Sequence, residues 1–223
     1  MKSVPSFPLR AAIFACILLA IAWAIYARLS NAMNLIILIG GPLLVFPHIL
    51  VGRWILDRHP EPDWAAWATT YVHTGIGFLL VIPIVRAIVT HQQWAGPVIP
   101  MPAGAGLVLV ILTGVAALVT VVNLALKGLG APFFISLSRK LATDWTYAWT
   151  RNPMVLAVFA FFLSLGLWFQ STFFVLWTLM LFVPAMLFFI KVYEERELEI
   201  RFGASYLEYK SKTPMLFPRK PTV

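Results

Sequence analysis

Cysteine is nearly absent. Cys16 is the only one in 223 residues, so no intrachain disulfide can form and a metal centre built on thiolates is excluded. Charge is scarce too. Only 12% of residues are charged and 61% are hydrophobic, with a mean hydropathy of +0.86, whereas an ordinary soluble domain carries about 25% charge. Such a chain cannot clothe a soluble surface and reads as an all-α polytopic membrane protein. Internal repeats and low-complexity tracts are missing, and the thirty-three residues after Ile190 are too few for a separate soluble domain. Nine acidic residues face seventeen basic ones, net +8. That excess does not point to nucleic acid, because the basic residues flank apolar runs and follow a topological rule.

What is present is a series of apolar runs. Ala11 to Tyr26 follows Lys2 and Arg10. Its basic flank and Ala22-Trp23-Ala24 also fit a cleavable signal peptide, but the run is long for one and we expect a retained span. Asn34 to Leu56 is the second span, interrupted by Gly40-Gly41-Pro42 and Pro47; neighbouring helices must cover the backbone groups that such breaks free. After the polar Asp57–Asp63 loop, Trp64 and Trp67 anchor a third span, Ala66 to Val89. His91 to Pro102 is a loop, Gly104 to Leu126 the fourth span, and Lys127 to Arg151 the longest polar connection. Met154–Phe169 and Thr172–Ile190 are separated only by Gln170-Ser171, which predicts an antiparallel hairpin. We therefore expect about six transmembrane helices in one membrane domain: four N-terminal spans to residue 126, then a loop, the hairpin and an amphipathic tail.

Six spans put both termini on one side. That side then holds fifteen of the seventeen basic residues, all but Arg28 and Arg86, together with all nine acidic ones. The positive-inside bias makes it cytoplasmic, in a prokaryotic inner membrane or its equivalent.

The hairpin returns Arg151 and Asn152 towards Glu194 and Glu195, some forty residues away in sequence. Its first arm, sixteen residues or about 24 Å, falls short of the ~30 Å hydrocarbon core. Arg151 and Asn152 are then expected in a partly desolvated recess, where the guanidinium needs an anionic partner. Val192 to Leu207 reads as an amphipathic helix, Leu198 and Phe202 packing while Glu197 pairs with Arg201 on the other face. Gly203 should end or bend it, with Ala204–Lys212 continuing before Pro214. Lys210, Lys212, Arg219 and Lys220 suit contact with anionic lipid.

Other candidates weaken on inspection. His48 and His73 lie inside spans and are expected to pack between helices, and His59 and His91, in loops on opposite faces, cannot share a metal. Gly128-x-Gly130 has no strand before it, so it does not open a dinucleotide fold. The hairpin aromatics, such as Phe161, Phe162, Trp168 and Phe174, are expected to pack and to face lipid.

Taken in order, Gly130-Ala131-Pro132-Phe133, Leu141-Ala142, Tyr147, Arg151-Asn152-Pro153-Met154, the hairpin, Glu194-Glu195, Leu198, Phe202-Gly203, Tyr206 and Tyr209 form one set over roughly the last ninety-five residues. The set resembles the isoprenylcysteine carboxyl methyltransferase family, among the integral-membrane methyltransferases that include phospholipid N-methyltransferases. Three positions depart from that pattern: Trp145 stands for a Gly, Val155 for a Tyr, and Ile190 for a basic residue. The resemblance implies a methyltransferase using S-adenosylmethionine. Lys140, Leu141, Ala142, Tyr147, Asn152, Pro153, Met154 and Glu194 would line the cofactor pocket. Arg151 would act at the catalytic centre and, with Glu195, bind a lipophilic or lipidated substrate. No metal is implied. Two alternatives are a reductase of the sterol-reductase type using NADPH and a non-catalytic membrane scaffold of the same fold.

Overall fold

The computed structural model describes residues 5–94, 96–128 and 140–221. The expected Gly130-Ala131-Pro132-Phe133 motif and Gly128-x-Gly130 run into residues outside that set. The described chain is helical: α1 (Phe7–Tyr26), α2 (Asn31–Arg58), α3 (Pro62–Trp94), α4 (Ala103–Gly128), α5 (Thr146–Trp149), α6 (Pro153–Trp168), α7 (Thr172–Phe202) and α8 (Ala204–Lys212). Five of these are long and apolar enough to cross a membrane; α6, at sixteen residues, is the short arm expected from the sequence. Their outward faces carry exposed Phe7, Leu19, Leu112, Leu118 and Met180. This is an integral membrane protein.

Long apolar helices rich in proline need a way to absorb its missing N–H, and these share one. Wide π-type turns occupy Ile36–Gly40, Gly77–Val81 and Thr178–Phe182, and each is followed two residues later by a proline, Pro42, Pro83 or Pro184. Proline frees the carbonyl four residues before it, and a wider turn accommodates the freed group without ending the helix. A fourth wide turn, Phe189–Glu194, has no proline after it.

The chain forms two interleaved units. One comprises the residues up to Trp94 and Leu179–Arg201, thus α1, α2, α3 and most of α7. Leu38, Val45, Ile49, Leu56, Val72, Ile76, Leu80 and Ile190 fill its core. Small residues let the helices close up: a Cβ at Gly52 would drive into Val72 and Tyr193, and one at Gly75 into His48. Arg86, 3% exposed, bolts three helices. Its Nε donates to Asn34 Oδ1 (3.0 Å), and its Nη1 donates to the carbonyls of Ala24 (2.7 Å) and Ala27 (3.1 Å) at the end of α1. A buried guanidinium without a carboxylate is tolerable because every contact accepts from it and the α1 C-terminus is electronegative. This accounts for an arginine outside the topological pattern.

The other unit comprises Ala95–Thr178 and the residues from Phe202 on. Within it α4 and α6 run antiparallel, Gly106 against Trp168 and Gly114 against Phe161. The Gln170-Ser171 turn folds as expected. Gln170 takes φ +53°, and Ser171 caps α7 by accepting from Phe174 N. Gln170 Nε2 donates to Met101 O (2.7 Å), tying the turn to the loop before α4.

Candidate functional site

The loop before α6 is held by the chain's own C-terminal segment, a role the sequence reading does not assign to it. Arg151 N donates to Pro214 O (2.9 Å), Thr150 Oγ1 to Met215 O (3.1 Å), Asn152 Nδ2 to the same carbonyl (2.9 Å), and Arg219 N to Trp149 O (3.0 Å). The acceptors are backbone carbonyls, so no side-chain pattern could have announced them. Asn152 occupies the N-cap of α6 without a side-chain cap, since its amide is turned to Met215; Pro153 at N1 needs no N–H partner.

Two tyrosines of α8 complete this corner. Tyr206, 2% exposed, accepts from Arg151 Nη1 (3.3 Å), and Tyr209 donates to Tyr147 O (2.7 Å). Burial, with Tyr147 and Tyr206 close by, pushes the Tyr209 phenol above its ordinary range, so it stays a donor. Arg151 is half-buried, which suits the expected recess. Of the residues expected to line a cofactor pocket, Ala142, Tyr147 and Pro153 are buried, Leu141, Asn152 and Met154 intermediate, and Lys140 exposed. Arg151, Asn152, Tyr147, Tyr206 and Tyr209 thus come together in one unit.

Two turns of this unit share a backbone state. Trp145 (φ +54°, ψ −116°) precedes α5 and Gly203 (φ +54°, ψ −129°) precedes α8. Glycine reaches that region freely and tryptophan only under strain. Trp145 is the position where the resembled family carries glycine, which gives that glycine its physical reason.

Glu194 and Glu195 belong to the other unit, on α7. The helix there differs from the sequence reading. It does not hand over to a separate tail at Ile190 but continues to Phe202, through the wide turn Phe189–Glu194. Nothing between Ile190 and Gly203 can stop a helix, and the wide turn only resets its face. The charged side is also the buried side. Glu195 and Glu197 are each 4% exposed, while Leu198 and Phe202 are intermediate. The carboxylates can be buried because partners await them: Lys191 Nζ reaches Glu195 at 3.4 Å and Arg201 Nη1 reaches Glu197 at 2.6 Å. The expected Glu197–Arg201 pair therefore forms, on the inner face.

Tyr193, within the wide turn, hydrogen-bonds Thr69 Oγ1 (2.9 Å) and stacks on Phe189. Arg53 Nη1 donates to Val192 O (3.0 Å), a carbonyl of the same turn. Arg196 pairs with Asp57 at 3.2 Å. The turn bearing Glu194 is thus pinned by α2 and α3 at two points, with the Arg196–Asp57 pair just past its end. A wide turn held by side chains, with no proline to require it, is the kind found at functional sites.

No curated protein and no solved structure matches the chain. Residues 102–205, a little under half of the chain, match the phospholipid methyltransferase family, so the stretch from the start of α4 into α8 is similar to a family of membrane methyltransferases, as the ordered motifs lead one to expect.

Proposed function

We propose that this chain is an S-adenosylmethionine-dependent methyltransferase that acts on a lipophilic acceptor entering from the bilayer, an isoprenylcysteine-like carboxylate or a lipid, on the cytoplasmic side of the membrane. The observation that carries the reading is the similarity over residues 102–205, which includes both the Arg151-Asn152-Pro153 loop and the Glu194-Glu195 turn.

The donor set suits the cofactor. Arg151, its backbone fixed by Pro214 and its side chain steadied by Tyr206, offers a guanidinium to a carboxylate. Asn152 gives its Nδ2 to Met215 and keeps its Oδ1 for an ammonium group. Buried Ala142, Tyr147 and Pro153, with Met154, Leu141 and the stem of Lys140, supply an apolar wall for a flat base. Glu194 accepts from ribose hydroxyls, and its charge favours a nearby sulfonium. S-adenosylmethionine, when bound, supplies an electrophilic methyl group. The chain's part is to orient the acceptor, with Glu195 and Arg151 on its polar end, and to exclude water; transfer by in-line displacement asks for positioning and desolvation before it asks for a base.

Calorimetric titration of the detergent-solubilised protein with S-adenosylmethionine and S-adenosylhomocysteine tests the reading. Binding is expected, and Glu194→Gln should weaken it roughly tenfold, the loss of a charge-assisted hydrogen bond, with the melting temperature unchanged. No heat from either compound, with heat from reduced nicotinamide nucleotide, would overturn it in favour of a reductase. Mass spectrometry of methylated lipids then names the acceptor.

A further inference from the structure

A cleft of about 370 Å³ opens in the second unit beside the polar corner at Arg151, sharing Tyr209 with it. Three segments wall it: Thr143 and Ala148 from the turn around α5, Ser205, Glu208, Tyr209, Lys212 and Thr213 from α8, and Arg219, Lys220 and Pro221 from the C-terminal segment. Three cations and one carboxylate line it, leaving an excess of two positive charges. Lys212 pairs with Glu208 at 2.6 Å and holds that carboxyl below its usual range. Arg219 spends its backbone N–H on Trp149 O and Nη2 on Lys212 O, which fixes the guanidinium at the rim. Lys220 makes no hydrogen bond or ion pair among the described residues.

The chain's own geometry sets the depth of this cleft. Ser205 lies three residues past Phe202, where the membrane helix α7 ends, and Ala148 five residues before Pro153, where α6 begins. The five-residue tether to the start of α6 keeps the cleft near the membrane surface. Its wall offers hydroxyls from Thr143, Ser205 and Thr213 beside the cations, with apolar surface from Ala148, Pro221 and the Tyr209 ring. A group with several anionic oxygens has many donors there.

We propose that this cleft binds a phosphoryl group at the membrane surface, with Arg219 and Lys220 as the principal cations and the anionic headgroup of a neighbouring phospholipid as its natural source. The site is distinct from the methyl-donor residues and holds whether or not the chain transfers methyl groups. Because Arg219 also anchors Trp149, an occupied cleft steadies the loop that carries Arg151.

Native mass spectrometry of the full-length protein in detergent, with added phosphatidylglycerol, phosphatidylcholine or sn-glycerol 3-phosphate, tests it. The wild type should retain phosphatidylglycerol over phosphatidylcholine. Arg219→Gln/Lys220→Gln should lose that preference by roughly tenfold or more, while Arg58→Gln, which removes one positive charge from the other unit as Lys220→Gln does from the cleft, keeps it. Lys220→Gln alone, which breaks no internal bond, should lose part of it and guards against misfolding of the double variant. Displacement of the lipid by sn-glycerol 3-phosphate supports the site with a free phosphoryl ligand; retention against it supports the site with the lipid as source. Equal retention by wild type and both cleft variants, or an equal loss in Arg58→Gln, overturns the proposal.

Discussion

Trp145 and Gly203 are a natural experiment in backbone strain. The two residues adopt nearly the same φ and ψ before short helices, yet only one is glycine. A bulky residue held there costs about 1–3 kcal/mol. Trp145 is 59% exposed, so only part of its side chain is packed. Trp145→Gly should therefore raise stability by about 1 kcal/mol, after subtracting glycine's entropic disadvantage. Gly203→Ala should lower it by about 1 kcal/mol or more, and for backbone reasons alone, because a Cβ there meets nothing within 4 Å. Thermal melts in detergent read both signs. Tyr209 yields a pH prediction. Its folded pKa lies above its unfolded value of about 10, so the protonated donor is the form that folding favours. The stability it contributes is complete below about pH 10 and is lost as pH rises beyond that. Tyr209→Phe should be destabilised by about 1 kcal/mol at neutral pH, with its melting curve converging on the wild type above pH 10.

Between elements, the bonds that matter most come from an irregular segment. Residues 213–219 bind the loop before α6 through Pro214, Met215 and Arg219. Deleting residues 213–223 should leave the membrane helices assembled and release that loop. Hydrogen exchange at Arg151, whose N–H bonds Pro214 O, should become at least an order of magnitude faster, and donor affinity should fall with it. Unchanged exchange would show that the segment only lies alongside. The wide turns divide along the same line of legibility. Three announce themselves by a proline two residues on, whereas Phe189–Glu194 is set by Tyr193–Thr69 and Arg53–Val192 contacts that link residues more than a hundred apart. Periodicity cannot reveal those. For the same reason the sequence reading breaks α7 at Ile190, where hydropathy drops, while the helix continues because nothing in Lys191–Phe202 breaks it.

For the whole molecule, composition is the stronger guide. The apolar runs place the membrane helices within a few residues, apart from the C-terminal end of α7, and the shortness of Met154–Phe169 carries over directly to α6. The recess expected at its start admits a direct test of depth and side. In a Cys16→Ser background, Arg151→Cys should react with a membrane-impermeant thiol reagent more slowly than Lys140→Cys, whose position is exposed. Both should label only in inside-out vesicles. Equal rates would remove the recess, and labelling of right-side-out vesicles would reverse the topology.

By itself the sequence determined that this chain is a helical membrane protein, where its spans lie and which ordered polar residues it brings to their ends. Those features follow from local quantities: the length of an apolar run, the fixed φ of proline, the sign of a flanking charge. Only the tertiary structure decided that Glu195 and Glu197 face inward, that a glutamate turn is pinned by α2 and α3, and that the last residues of the chain hold the Arg151 loop. The physical reason is that each of these depends on which distant donor or acceptor is within about 3 Å, and no stretch of sequence carries that distance.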